Sequence, residues 1–234
     1  MPKTGSVRRP TEGRAGGDGQ AAARSARLAP SWAPIVTVVA VLVTASIGAL
    51  VWHSTGLGRL DAWALRALRA ETYLGFRLAT AISSSLRVLA LGASPAIAAF
   101  AWFALRRRDA VVLALAAPAV TFVAERLLKQ VVARQSPGSG VFLYPSGHLA
   151  VATSLALTLV LLLRLASVRP GVMGVVVTSV SLALLVLARA RLAETAHSLS
   201  DVVGGIAMGL AVTLAAALLL DARLLSFVKH RRAR

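Results

Sequence analysis

Six apolar runs, each nearly free of charge, divide this chain of 234 residues. They cover Pro34–Trp52, Val88–Leu105, Ala110–Ala124, Gly147–Leu163, Gly171–Ala188 and Val202–Leu220. A helix needs about 20 mostly apolar residues to cross the hydrocarbon core of a bilayer. In lipid its backbone must also satisfy its own hydrogen bonds, which a helix does. The runs therefore predict an all-α fold, a bundle of six transmembrane helices. The third run is the shortest. It reaches span length if it continues through Glu125 to Val132 with Glu125 and Arg126 facing protein or the interface. Pro95 and Pro118 fall inside spans, where membrane helices tolerate a kink. Composition agrees: 15% of residues are charged, against about a quarter in soluble domains. With no cysteine in the chain, a disulfide framework and a thiolate metal site are both excluded.

Residues 1–33 are rich in Gly, Ala, Arg and Ser and lack apolar periodicity. They are predicted to be a disordered basic tail, followed by a membrane domain over 34–222 and a short basic tail over 223–234. Between the first two runs, apolar residues recur every three or four positions with arginines between them, from Leu57 to Arg87. That pattern predicts an amphipathic helix lying on the outer membrane face; a loop helix packed on protein is the alternative. The net charge of +17 fits basic loops facing anionic lipid better than it fits a nucleic-acid partner. With the N-terminus inside, the inner segments hold sixteen of the 26 Lys and Arg residues. The bias places both termini in the cytoplasm and the chain in the cell membrane. Gly205 and Gly209 have the small-xxx-small spacing of close helix packing.

In this topology three polar clusters share the outer face: Lys129 to Pro137, Tyr144 to His148, and Arg191 to Asp201. Each has a bland explanation. Ser146 can be a helix N-cap with His148 at the surface, and Lys129 and Arg191 can be interfacial anchors. His197 and Asp201, four apart, share a helix face, so the carboxylate can orient one imidazole nitrogen and leave the other as base or nucleophile. Such pairs are also often structural. Taken together, two histidines, one with an acid partner, face several cations and a helix N-terminus. Helix N-termini and Lys/Arg clamps suit phosphate. The chemistry that fits is phosphoryl transfer through a phosphohistidine, one histidine attacking and the other protonating the leaving oxygen. Cations would stabilise the phosphoryl oxygens, so neither metal nor other cofactor is called for.

These residues resemble the type 2 phosphatidic acid phosphatase (PAP2) family. Its second motif, Pro-Ser-Gly-His, is complete at Pro145, Ser146, Gly147 and His148. Its third keeps its spacing at Arg191, His197 and Asp201, with Ala190 in place of the leading serine. Its first keeps Lys129 but has Ser136 before Pro137 where the family carries arginine. The resemblance implies His197 as nucleophile, Asp201 as its orienter and His148 as general acid. It implies Lys129, Arg191, Ser146 and Gly147 as phosphate holders, with Ser136 as a weaker contact. Arg134, two residues before Ser136, is expected to reach the same phosphate in place of the missing arginine. The implied protein is an integral membrane lipid phosphatase acting on a lipid phosphomonoester or diphosphate, such as phosphatidic acid, phosphatidylglycerol phosphate or a polyprenyl diphosphate. A non-catalytic lipid-phosphate binder is the rival. A small transporter fits less well, because the spans carry almost no charge at mid-bilayer.

Overall fold

The computed structural model describes residues 27–69, 72–135, 141 and 143–232. Ser136 and residues 1–26 of the expected tail lie outside them. Among the described residues the chain is helical: α1 (Ala33–Leu50), α2 (Arg59–Leu68), α3 (Tyr73–Phe100), α4 (Arg108–Val132), α5 (Gly147–Leu165), α6 (Pro170–Ala193) and α7 (Leu199–Arg232). A π-helical turn, Ala101–Leu105, carries α3 to Arg106, whose left-handed backbone ends it. Five helices are long and apolar enough to cross a membrane: α1, α4, α5, α6 and α7 as far as Arg223. The run expected as the second span falls in the last part of α3 and the π-turn, where Gly92–Leu105 forms a shorter apolar stretch.

The helices run up and down. At one end, the His53 N–H donates to the Val132 carbonyl (2.8 Å) and the Gln135 N–H to the Ser54 carbonyl (3.1 Å), so α1 and α4 finish together. There too the Ser146 N–H donates to the Asp201 carbonyl (2.9 Å), joining the starts of α5 and α7. Leu65 and Leu68 of α2 pack at this end against Leu149, Leu187, Leu192 and Val202. The larger core lies toward the other end, where Ala33, Ala98, Leu113, Leu162 and Leu214 meet. Many large apolar side chains point outward, among them Ile35, Leu42, Val175, Leu182 and Leu219. That surface suits lipid rather than water.

Several expectations shift. The predicted surface helix from Leu57 to Arg87 is two elements, α2 and the first half of α3, separated by a break after Leu68. Of the stretch expected as N-terminal tail, Leu28 and Ala29 are buried, and both their N–H groups donate to the Asp221 carboxylate at 2.9 Å. A buried carboxylate on α7 needs such donors, and the chain just before α1 supplies them. The C-terminal residues 223–232 continue α7, because no glycine or proline follows Gly209 to stop the helix. α4 does extend through Glu125, which is 2% exposed, while Arg126 turns outward over the Phe122 ring. Pro118 cannot donate to the Ala114 carbonyl one turn earlier. The Ser94 hydroxyl of α3 donates to that carbonyl instead, at 2.8 Å.

The two glycines singled out by spacing sit where α7 meets α5. A Cβ at Gly205 would stand 2.5 Å from the Ser146 carbonyl oxygen, and one at Gly209 would press on the Ala150 carbonyl oxygen. Backbone cannot move aside as a side chain can. Gly205→Ala and Gly209→Ala are expected to cost about 1–3 kcal/mol each through overpacking. Both variants should melt earlier in detergent than Gly174→Ala, whose added methyl meets nothing within 4 Å. Equal melting of all three would contradict this packing.

Candidate active site

α4 stops at Ala133, whose left-handed backbone sends its N–H back to the Lys129 carbonyl. Arg134 then turns inward. It is 1% exposed, and NH1 donates to Ser198 Oγ (2.8 Å), Ser200 Oγ (2.6 Å) and Asp201 Oδ1 (2.8 Å). NH2 donates to Asp61 Oδ2 at 2.9 Å. The expected reach of Arg134 to a phosphate is therefore not the geometry seen. Its guanidinium is committed to two carboxylates and two hydroxyls inside the protein, because two buried acids demand a cation between them.

Ser-Leu-Ser-Asp, residues 198–201, forms a capping box at the start of α7. The Ser198 N–H and hydroxyl both donate to Asp201 Oδ2, at 2.8 and 2.9 Å. Asp201 is fully buried, with Oδ1 on Arg134 and Oδ2 on Ser198. His197 lies just before the helix. Its Nδ1 is 3.8 Å from Asp201 Oδ2, close enough for electrostatic orientation and too far for a hydrogen bond.

Burial holds the His197 imidazole below the ordinary histidine value of 6.5. Asp201 opposes that effect, while Arg191 and Lys129 add to it. Arg191 stands in the last turn of α6 and Lys129 in the last turn of α4. Arg191 NH1 pairs with Glu194 Oε2 at 2.5 Å. Lys129 Nζ pairs with Glu125 Oε1 at 2.6 Å. The Glu125 carboxylate in turn lies over the start of α5, 2.6 Å from where a Gly147 Cβ would stand. Ser146 precedes α5, fully buried, and its hydroxyl has no hydrogen-bond partner among the described residues. His148, the second residue of α5, is half-buried. Tyr144 fixes the approach to this turn: its hydroxyl donates to the Thr44 carbonyl at 2.6 Å.

The fold gathers Lys129, Ser146, Gly147, Arg191, His197 and Asp201 at one end of the bundle, with His148 on the adjoining first turn of α5. Sequence reasoning missed Asp61 as a member of this cluster and read Glu125 only as a residue of the extended third run, facing protein or the interface. A signal for Asp61 was present. It stands at helical spacing with Ala64, Leu65 and Leu68, the apolar stripe of α2, and an acid on a buried stripe requires a cationic partner.

Residues 88–224 match the sequence pattern of the PAP2 superfamily, more than half of the chain. The chain belongs to the PAP2 superfamily. A solved structure, the crystal structure of the first transmembrane PAP2 type phosphatidylglycerolphosphate phosphatase from Bacillus subtilis, superposes on this PAP2 protein with a TM-score of 0.65. Identity is 18%, over 77% of this chain and 93% of that one. At that identity the likeness speaks to the shared fold. No curated protein matches the sequence. The PAP2 match takes in both histidine motifs and leaves out α1 and α2, so Asp61 reaches the cluster from outside the matched region.

Proposed function

We propose that this PAP2 protein is an integral membrane lipid phosphatase that hydrolyses a lipid phosphomonoester or diphosphate through a phosphohistidine. The observation that carries the proposal is the grouping of a buried imidazole with Asp201, Lys129 and Arg191 around it. Nδ1 faces Asp201, which leaves Nε2 for attack on phosphorus. As the N–P bond forms, the bond to the leaving oxygen breaks and His148 supplies that oxygen with a proton. Water then attacks the phosphohistidine, releasing phosphate and restoring the imidazole. Lys129 and Arg191 stabilise the charge on the phosphoryl oxygens, with Ser146, Gly147 and Ser136 as further contacts, so the mechanism uses no metal. The proposal keeps six spans, with α3 and its π-turn as the second, both termini in the cytoplasm of a plasma-membrane protein, and the site on the outer face beside α2.

The Bacillus subtilis structure bears the name of a phosphatidylglycerolphosphate phosphatase, which makes that lipid a first substrate to try, beside phosphatidic acid and a polyprenyl diphosphate. Phosphate release from this panel by the purified protein tests the proposal. A rival reading, a lipid-phosphate binder with weak or no turnover, draws support from two features. Lys129 is paired with Glu125, and serine stands at 136 where the family carries arginine. Binding of all three lipids without release from any would favour the binder.

The neutral imidazole is the nucleophile, and protonation below its depressed pKa removes it. Activity should therefore hold as pH falls through 6.5, with the acid limb of kcat/KM below that value. Asp201→Asn should move the limb lower still, because the Asp201 carboxylate is what favours the charged imidazole against burial, Arg191 and Lys129. A limb above 6.5 in the wild type would contradict a buried neutral nucleophile.

A further inference from the structure

The Arg134 guanidinium meets two carboxylates and two hydroxyls inside the bundle. Arg134 joins two helices by ion pairs, bridging Asp61 on α2 and Asp201 on α7. We propose that Arg134 is a positioning residue for the reaction at His197, clamping Asp201 to Asp61 and so fixing the carboxylate that faces the nucleophile. The proposal rests on the phosphatase reading above and deepens it.

Three features of the geometry support the clamp. Arg134 takes Asp201 by Oδ1 while Ser198 takes it by Oδ2, so neither oxygen can swing without breaking a bond. His197 makes its approach on the Ser198-bonded oxygen, so the orientation of that plane sets where Nδ1 points. The anchor at the other end is also doubly held. Asp61 Oδ1 accepts from the Ser200 N–H (2.8 Å), and Oδ2 accepts from the Ser200 hydroxyl (2.7 Å) as well as from Arg134. Arg134, Ser198 and Ser200 thus tie the first turn of α7 to α2 on both sides of Asp201. A planar guanidinium with several donors can span two acids at once, whereas a lysine ammonium reaches them as a single point. The remaining faces of α2 carry Leu60 and Trp63, both exposed. The helix is held to the bundle by Asp61, by its small apolar stripe and by the Arg189 guanidinium of α6, which donates to the Leu68 carbonyl, and the clamp makes its seat part of the site.

The test uses the full-length protein in detergent, with Asp61→Asn and Arg134→Lys as near-isosteric variants. For each, kcat and KM are measured separately on the best lipid phosphate of the panel. The imidazole 15N shifts of His197 are recorded without substrate. Both variants are expected to lose about tenfold to a hundredfold in kcat, the scale of a small misplacement of a reacting group, with KM within about twofold of wild type. The His197 shifts should move in both. A raised KM with kcat preserved would overturn the proposal and make Arg134 a substrate-binding cation. Unchanged kcat and unchanged shifts would overturn it as well, leaving the clamp a matter of folding alone. If the wild type releases no phosphate from any lipid, it is the phosphatase reading that fails. The shifts then decide the clamp by themselves: moved, Arg134 positions His197; unmoved, it does not.

Discussion

His197→Ala is expected to lower phosphate release by at least about a thousandfold while the protein stays folded. The size follows from the role assigned to the imidazole. Loss of a covalent nucleophile removes the two-step route altogether, and what remains is the modest acceleration from binding and oxyanion stabilisation. His148→Ala should cost less, because general acid catalysis contributes typically about a hundredfold to ten-thousandfold and water can protonate a good leaving group. The two variants are therefore separable by substrate. The His148→Ala defect should shrink on a diphosphate, whose leaving phosphate needs its proton less than an alkoxide does. The His197→Ala defect should be the same on every substrate. A His197→Ala protein that retains more than a tenth of wild-type activity would contradict the assignment.

Arg134→Ala is expected to be the most destabilising single substitution at the site. It leaves the Asp61 and Asp201 carboxylates, 5% and 0% exposed, with no cation between them. Removing one partner of a buried ionic cluster costs about 3–5 kcal/mol, because the remaining charge is uncompensated. Here two like charges remain. Adding Asp61→Asn to Arg134→Ala should recover part of the loss, since it removes one stranded charge from the same network. Thermal or denaturant melting of the four proteins in detergent checks both statements. Additive losses in the double variant would show that Asp61 and Arg134 do not act as a unit.

How much of this was legible in the sequence differs from element to element. The apolar runs read correctly as helices, because in a bilayer hydropathy and length leave the backbone few choices. Gly205 and Gly209 read correctly as a packing pair, because small residues one turn apart allow backbones to approach. Motif spacing brought His148, His197 and Asp201 to one end of the bundle. The internal partners of Arg134 were not legible, because Asp61 and Asp201 lie 73 and 67 residues away and only folding brings them together. The same cause hid the pairing of Leu28 and Ala29 with Asp221. The His197–Asp201 spacing suggested a shared helix face. The capping box placed α7 after His197 instead, and Ser198 took the carboxylate oxygen expected to serve the imidazole.

The covalent intermediate is the central claim, and trapping it is the most direct test. The protein would be mixed with a lipid phosphate carrying labelled phosphorus, then quenched within one turnover in alkaline denaturant, which preserves phosphohistidine. The mechanism predicts label on the wild-type chain that is lost on later acid treatment, and no label on His197→Ala. Phosphate release by the wild type with no protein-bound label at any quench time would contradict it, as would label that persists when His197 is replaced.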